Sequence, residues 1–164
     1  MKHFLSIEQL TREELHQLLA AAQVFKDARS RKPQDLLSGQ TWALLFNKPS
    51  TRTRVSFEVG LRELGASAMF LSPADIQLGR GEPIVDTARV LGRMVHGVII
   101  RTFAQADLFT FAEHGQIPTI NALTDEEHPC QIVADLFTIR EHFKNLEELT
   151  VCFLGDGDCN VARS

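Results

Sequence analysis

Four consecutive polar side chains behind a short apolar run have the types and the position needed to hold a phosphate group. The run at residues 42–46 is typical of a buried strand, and Pro49 ends it. Ser50 stands where a helix N-cap would stand, and apolar residues recur at helical spacing behind it. Free backbone N–H groups, the helix dipole and a guanidinium then meet on one turn, which predicts an anion site. Its side chains are Ser50, Thr51, Arg52 and Thr53.

The same turn is also compatible with an ordinary capped helix that carries two solvated arginines. Its position directly after a buried strand favours the ligand site, because open α/β sheets bind ligands at the carboxyl ends of their strands. The turn is not a Walker loop, since the glycines and the Lys-Ser/Thr pair of that loop are missing.

Two further strand ends carry side chains that suit an anion or a polarised carbonyl group. Arg101 follows an apolar strand at residues 97–100. His128 and Gln131 lie at the loop-to-helix junction behind a strand at residues 117–120. A histidine taken alone is more often an ordinary surface residue. Because the carboxyl ends of parallel strands share one edge of the sheet, we expect these side chains to lie beside the residue 50–53 turn.

A metal site is a weaker interpretation of the same region. His128 and Cys130 are two residues apart, but no further ligands stand at useful spacing. The spacing of these residues therefore does not favour a metal site.

Strands and helices alternate along the chain at the spacing of successive βαβ units. The predicted strands cover residues 42–46, 68–71, 97–100 and 117–120, and the predicted helices cover residues 6–29, 51–64, 84–95, 104–114 and 129–143. Thr11 and Glu14 are predicted to form a capping box in the first helix. The pattern predicts an α/β fold in which a parallel sheet carries helices on both faces.

Two segments lie outside this regular pattern. The polar loop at residues 72–83 is either a solvated connector or a ligand loop whose Gln77 and Arg80 reach an anion. Near the end of the chain, residues 150–154 are predicted to form a fifth apolar strand, followed by a GDGDCN turn. We interpret this strand as the start of a truncated second α/β domain. The expected division is a first domain at residues 1–145 and the start of a second at residues 146–164.

Composition narrows the class of protein. The 164-residue chain is 44% hydrophobic and 23% charged with a net charge of −4, which argues against general nucleic-acid binding. Its three cysteines form no CxxC pair, which favours a reducing cytoplasm. No apolar run reaches membrane-span length, and the acidic N-terminal stretch does not resemble a signal peptide. We therefore expect a cytoplasmic protein without a membrane partner.

The motifs resemble those of a known family. The segment FNKPSTRTRVSFE is similar to the carbamoyl-phosphate signature of the aspartate/ornithine carbamoyltransferase family, and DIQLGRGEPIVDTARVLGRM, the strand-end Arg101 and HPCQIVADL agree with it in order and spacing. The HPCQ motif and the Gln77 loop resemble the ornithine members more than the aspartate members. The resemblance implies a flavodoxin-like carbamoyl-phosphate domain, a linking helix and a second domain for the amino acid. It also implies a homotrimer with shared active sites, and no cofactor.

The resemblance further implies a role for each site residue. The phosphate would be held by Ser50, Thr51, Arg52 and Thr53. Arg101, His128 and Thr53 would surround the carbamoyl oxygen, and Gln131 would bind the carbamoyl amide. Gln77 would reach the adjacent subunit's site, and Asn160 would contact ornithine, although the GDGDCN turn is one residue longer than the common form. The catalytic residues would be Arg52, Arg101 and His128.

These residues would transfer a carbamoyl group from carbamoyl phosphate to the δ-amine of L-ornithine, giving citrulline and phosphate in arginine metabolism. The family's second-domain motifs for ornithine are absent from this sequence, so the chain is expected to carry the carbamoyl-phosphate half-site. Two alternatives stay open, and the residues argue against a third. The acceptor could be another amine (aspartate, putrescine or an acylated ornithine), or the chain could be a binding-only anion-sensing domain. A phosphoacceptor receiver domain would instead need clustered aspartates at the strand ends, where arginines stand.

Overall fold

A computed structural model describes residues 3–29, 35–74, 76, 81–143, 146 and 148–164. The helices are α1 (Arg12–Ala28), α2 (Thr51–Glu63), α3 (Ile84–Leu91), α4 (Gln105–Gly115), α5 (Pro129–His142) and α6 (Asn160–Arg163), with a 3-10 turn at Ile7–Gln9. The strands are β1 (Thr41–Phe46), β2 (Ser67–Leu71), β3 (Gly97–Arg101) and β4 (Thr119–Leu123). Gln77 and Arg80 lie outside the described residues, so their predicted roles stay predictions.

The strands form a parallel sheet in the order β2-β1-β3-β4, as the sequence predicts. From β1 the chain first moves to β2 on one side and then returns to add β3 and β4 on the other. The strand order therefore reverses between β1 and β3, and open α/β sheets bind ligands at such a switch point. Phe46 pairs with Arg101 at the carboxyl ends of these two strands.

Both faces of the sheet are covered, which explains why the strands are almost continuously apolar. Ala43, Leu45 and Ile100 pack with residues of α3 and α4 on one face. Trp42 and Leu44 pack with residues of α2 on the other. Together these two layers form the core of the domain.

In the N-terminal segment, Phe4 forms an isolated parallel bridge with the outer edge of β4. Phe4 donates its N–H to Thr119 O at 2.9 Å, and Asn121 donates its N–H to Phe4 O at 2.8 Å. The predicted capping box is confirmed, since Thr11 Oγ1 accepts from Glu14 N at 3.2 Å and Glu14 accepts from Thr11 N at 2.9 Å. Because Thr11 starts α1 there, the predicted single helix at residues 6–29 is in fact a 3-10 turn followed by α1.

Two further elements have bounds that differ from the prediction by more than one residue. The fourth strand runs over Thr119–Leu123 and not over residues 117–120, because Asn121 and Leu123 pair with Ile100 and Arg101 of β3. The polar Asn121 is accommodated there, since it is fully buried and its side chain donates to Leu5 O at 2.9 Å. The third helix ends at Leu91, before residue 95. Gly92 is the C-cap residue of α3, and a Cβ atom there would lie 2.0 Å from the carbonyl oxygen of Gly115, so a glycine is needed where the end of α3 packs against the end of α4.

The predicted fifth strand at residues 150–154 is wrong. These residues form no strand, and they are exposed, with Leu154 90% accessible. An apolar run becomes a strand only where a neighbouring strand can pair with its backbone, and the described residues offer none there. The short helix α6 lies further along the chain and packs against α5. No helix in the described part of the chain combines the length and apolarity that a bilayer crossing requires.

Candidate functional site

A cleft of about 550 Å³ opens at the carboxyl ends of β1, β3 and β4. Its lining residues are Ser50, Arg52, Thr53, Ser56, Phe57, Arg101, Leu123, His128, Cys130, Gln131, Ala134, Asn160 and Val161. The structure thus brings together seven of the predicted site residues, from four separate segments of the chain. Thr51 does not line the cleft, and its side chain is exposed on the first turn of α2.

The turn between β1 and α2 is organised by Ser50. Its backbone is extended (φ −162°), and its Oγ accepts from Thr53 N at 3.3 Å, as the predicted N-cap should. The same hydroxyl donates to Thr53 Oγ1 at 2.8 Å. The first N–H groups of a helix have no carbonyl partner within it, so this turn presents backbone donors and the positive end of the helix dipole to the cleft.

Arg101 reaches the cleft from the end of β3. Its carbonyl accepts from Asn47 N at 2.8 Å, which fixes the strand end beside the turn before α2. The β3–β4 register shifts between Ile100 and Arg101, and such irregularities often re-aim a side chain next to a site. Arg101 Nε is buried without a hydrogen-bond partner among the described residues, and burial lowers the pKa of the guanidinium from its usual value.

The two cleft arginines have no carboxylate counter-ion among the described residues. Arg52 and Arg101 both line the cleft, whereas Arg54 on the outer side of α2 pairs with Glu58 at 2.7 Å. A buried donor without a partner costs free energy, and a bound anion would remove that cost. The cleft is therefore electrostatically prepared for a negatively charged ligand.

His128 lies at the N-cap position of α5, and its backbone N–H donates to Ser164 Oγ at 2.8 Å. Its Nδ1 is buried without a hydrogen-bond partner among the described residues. The pKa of His128 is lowered from 6.5, first by burial and then by the positive charge of Arg101, while Asp135 acts in the opposite direction. At neutral pH the imidazole is therefore neutral, with one ring nitrogen as a donor and the other as an acceptor.

Two amide side chains complete the polar lining. Gln131 follows His128 on the first turn of α5, and its Nε2 donates to Asp135 Oδ1 at 2.9 Å. Asn160 Nδ2 donates to Thr124 O at 2.9 Å, so that α6 is held at the rim of the cleft. These contacts place both predicted residues in the cleft and leave their roles toward a ligand as predictions.

Several cleft residues were not singled out from the sequence. Ser56 is three residues beyond Thr53 on α2, so helical periodicity could have indicated it. Phe57 and Val161 are apolar residues that no local motif marks as part of a site. Cys130, for which the sequence offers only the weak metal-ligand interpretation, donates its Sγ–H to Asn121 O at 3.3 Å. Burial raises the pKa of this thiol to about 12, so it stays protonated and unreactive. No group of three or more metal-ligating side chains occurs among the described residues.

The fold and the cleft define a class of protein: a doubly wound α/β domain with a cationic cleft at its topological switch point. The N-terminus of α2 and the two cleft guanidiniums suit a phosphate group. The neutral imidazole of His128 and the amide of Gln131 suit a polar group that is bonded to this phosphate. Comparison with known proteins identifies the family. Residues 2–141 match the family model described as "Aspartate/ornithine carbamoyltransferase, carbamoyl-P binding domain", and the chain belongs to this family.

Its relatives include proteins named ornithine carbamoyltransferase. The protein from Akkermansia muciniphila is 59% identical over 166 residues, which cover 100% of this chain and 54% of that protein. The anabolic ornithine carbamoyltransferase of Pseudomonas aeruginosa is 48% identical over 163 residues, covering 98% of this chain and 53% of that protein. The chain thus spans about half the length of the curated relatives that it matches.

Solved structures agree with the fold. The ornithine carbamoyltransferase from Pyrococcus furiosus superposes with a TM-score of 0.94 at 44% identity, over 98% of this chain and 51% of that chain. The enzyme of the same name from Gloeobacter violaceus superposes with a TM-score of 0.86 at 48% identity, over 99% of this chain and 52% of that chain. The predicted parallel sheet with helices on both faces is confirmed as that of the carbamoyl-phosphate domain in these proteins.

Proposed function

We propose that the cleft binds carbamoyl phosphate and that the chain supplies the carbamoyl-phosphate half of an ornithine carbamoyltransferase. The observation that carries the proposal is the convergence of the α2 N-terminal turn, Arg101, His128 and Gln131 on one cleft. The family to which the chain belongs and the names of its relatives support this choice of ligand and of acceptor.

The phosphate group lies at the N-terminus of α2 in this proposal. Backbone N–H groups of the turn, the Thr53 hydroxyl and the Arg52 guanidinium donate to its oxygens. The Ser50 hydroxyl exchanges its hydrogen bond to Thr53 Oγ1 for one to the phosphate. Charge-assisted hydrogen bonds of this kind are about twice as strong as neutral ones. These groups hold carbamoyl phosphate in the ground state and also stabilise the phosphate dianion as it departs.

The carbamoyl group then lies between β3 and α5. Its carbonyl oxygen accepts hydrogen bonds from Arg101 and the neutral imidazole of His128, and its amide contacts Gln131. The low pKa of His128 suits this role, because a neutral ring donates a hydrogen bond without becoming a second counter-ion for the phosphate. Loss of one such donor typically lowers kcat by about 10²- to 10³-fold.

The chemistry requires no side-chain nucleophile. The neutral δ-amine of ornithine attacks the carbamoyl carbon, so that a C–N bond forms and negative charge builds on the carbonyl oxygen. The C–O bond to phosphate then breaks, phosphate leaves with the electron pair, and the former amine passes its extra proton to the departing phosphate. Orientation of the two reactants and stabilisation of the oxyanion supply the rate enhancement. Asn160 at the rim is the proposed ornithine contact within this chain.

A calorimetric titration with carbamoyl phosphate tests the binding proposal. We expect the parent chain to bind and Arg52→Ala to bind at least about tenfold more weakly, since a charge-assisted hydrogen bond to an anion is lost. Arg62→Ala is the matched control, because Arg62 is an exposed arginine near the other end of α2 and should bind like the parent.

Two results would contradict the proposal. One is a folded parent that binds neither carbamoyl phosphate nor inorganic phosphate, and the other is an Arg52→Ala variant that binds like the parent. Equal affinity of the parent for both ligands would instead favour a binding-only anion-sensing domain, because the contacts of Arg101, His128 and Gln131 with the carbamoyl group would then contribute nothing.

A further inference from the structure

A buried polar cluster lies directly beneath the turn that carries His128. Its members are the side chains of Gln105, Asn121 and Thr124, which are 5%, 0% and 0% exposed. They come from the start of α4, from β4 and from the residue just after β4. No sequence motif singles out Gln105 or Thr124, and neither side chain lines the cleft.

Thr124 fixes the backbone that leads into His128. Its Oγ1 accepts from Glu127 N at 3.0 Å and from Glu126 N at 3.3 Å. Its N–H donates to Glu127 O at 2.8 Å. Both peptide groups of Glu127 are therefore bound to Thr124, and the second of these peptide groups is the one that joins Glu127 to His128.

Gln105 sets the orientation of the Thr124 hydroxyl. Its Oε1 accepts from Thr124 Oγ1 at 2.6 Å, so the proton of this hydroxyl points into the cluster and its lone pairs face the two turn amides. Gln105 Nε2 and Asn121 Nδ2 both donate to Leu5 O, at 3.1 and 2.9 Å. The N-terminal segment thereby fixes the two amide side chains, and Ile7 N donates to the Glu127 carboxylate at 3.2 Å.

Thr124 also holds the opposite rim of the cleft, since its carbonyl accepts from Asn160 Nδ2 at 2.9 Å. One residue thus has direct hydrogen bonds to the segment before His128 and to the side chain of Asn160. We infer that Thr124, oriented by Gln105, is a positioning residue that sets His128 for the carbamoyl end of the ligand. This inference rests on the proposed function, because it assigns to His128 the carbamoyl group rather than the phosphate.

The test compares two ligands. Thr124→Val keeps the volume and removes the hydroxyl, so both turn amides lose an acceptor inside the protein. We expect the Kd for carbamoyl phosphate to rise about tenfold or more, since small displacements of a positioned group have effects of this size. The Kd for inorganic phosphate should change less than about twofold, because phosphate binds at the α2 turn. Thr124→Ser should restore carbamoyl-phosphate binding.

The chain offers a matched control in Thr119. It is also 0% exposed, and its Oγ1 donates to Ile117 O at 3.1 Å at the other end of β4. Thr119→Val removes a comparable buried hydroxyl and should leave both affinities unchanged. If both valine variants weaken both ligands equally, Thr124 has only a structural role and the inference is wrong. It is also wrong if Thr124→Val binds both ligands like the parent.

Two further measurements test the inference if Thr124→Val does not fold or if the parent binds neither ligand. If Thr124→Val does not fold, Gln105→Leu replaces it, and the same selective loss of carbamoyl-phosphate binding supports the inference while unchanged binding overturns it. If the parent binds neither ligand, the proposed function fails, and the ring NMR signals of His128 in the ligand-free protein decide the positioning question. Signals displaced by Thr124→Val and unmoved by Thr119→Val support the inference, and coincident signals in all three proteins overturn it.

Discussion

At the scale of single residues, His128 and Arg101 show how the cleft controls charge. Both side chains have a buried nitrogen without a partner among the described residues, and burial lowers the pKa of each. A site that keeps one guanidinium charged and the adjacent imidazole neutral can bind a dianion and still offer a neutral donor to a carbonyl oxygen. The positive charge of Arg101 beside His128 leads to a prediction about the titration of His128.

We predict that the imidazole of His128 titrates below the ordinary histidine value of 6.5. Arg101→Met should raise this pKa by removing a positive charge, but not fully to the ordinary value, because burial is the larger cause. An NMR titration of the ring signals, assigned with His128→Gln, measures it. Arg62→Met is the control and should leave the pKa unchanged. A titration at or above 6.5, or one unaffected by Arg101→Met, would contradict the electrostatic account.

The lowered pKa also has a consequence for stability. Between the folded and the unfolded pKa, the unfolded chain binds more protons at this site, so the free energy of unfolding falls as the pH drops below about 6.5. We expect acidification to destabilise the parent more than His128→Gln in chemical denaturation between pH 7 and pH 5. His3 has a pKa shifted in the same direction, so its effect is common to both proteins and cancels in the comparison.

At the scale of elements, the sheet determines which side chains meet. Gly97 begins β3 against Trp42 of β1, and a Cβ atom there would lie 2.5 Å from the indole ring. Trp42 cannot move away easily, because it packs in the layer beneath α2 and its Nε1 donates to Gln40 at 3.0 Å. The absence of a side chain at residue 97 therefore allows β1 and β3, the two strands that flank the switch point, to pair in register.

We predict that Gly97→Ala lowers the free energy of unfolding by about 1–3 kcal/mol through overpacking. Gly60→Ala is the matched control, since Gly60 lies in α2 with nothing within 4 Å of its Cβ position. Alanine favours a helix, so this second variant should be more stable than the parent by about 0.5–1 kcal/mol. Chemical denaturation of both variants measures the difference. If Gly97→Ala had the same free energy of unfolding as the parent, Trp42 would move aside without a loss of stability, and the prediction would be wrong.

The parts of this fold that the sequence predicted depend on local rules. Ser50 as an N-cap and the Thr11 capping box each follow from neighbouring residues. The meeting of residues 50–53 with Arg101 and His128 follows from one further rule, that parallel strands end at the same edge.

The parts that the sequence did not predict depend on distant contacts. The polar Asn121 is accommodated inside β4 because Leu5, far away in the chain, accepts its side-chain hydrogen bond. Residues 150–154 have the composition of a strand, yet no described strand lies beside them to pair with. The role of Thr124 is likewise invisible in the sequence, since it requires Gln105 from another element. A sequence pattern can identify an apolar or capped segment, but only the tertiary structure decides which other segment it contacts.

At the scale of the whole molecule, the chain forms an α/β domain with its cleft at one edge of the sheet. It spans about half the length of its curated relatives, and its cleft is lined by two arginines, His128 and Gln131, with Asn160 at the rim. The division at residue 145, the homotrimer and the reach of Gln77 stay predictions. They do not affect the central claim, which concerns groups that the described residues already bring together.

The most direct test of that claim is an NMR titration of the ¹⁵N-labelled chain with carbamoyl phosphate. We predict saturable shifts of the backbone amides of residues 51–53, together with the Arg101 Nε–H, the His128 ring and the Gln131 side-chain amide. Inorganic phosphate should shift the residue 51–53 amides and leave the His128 and Gln131 side-chain signals nearly unmoved. Shifts that cluster elsewhere on the protein, or no shifts at saturating ligand, would contradict the assignment of this cleft to carbamoyl phosphate.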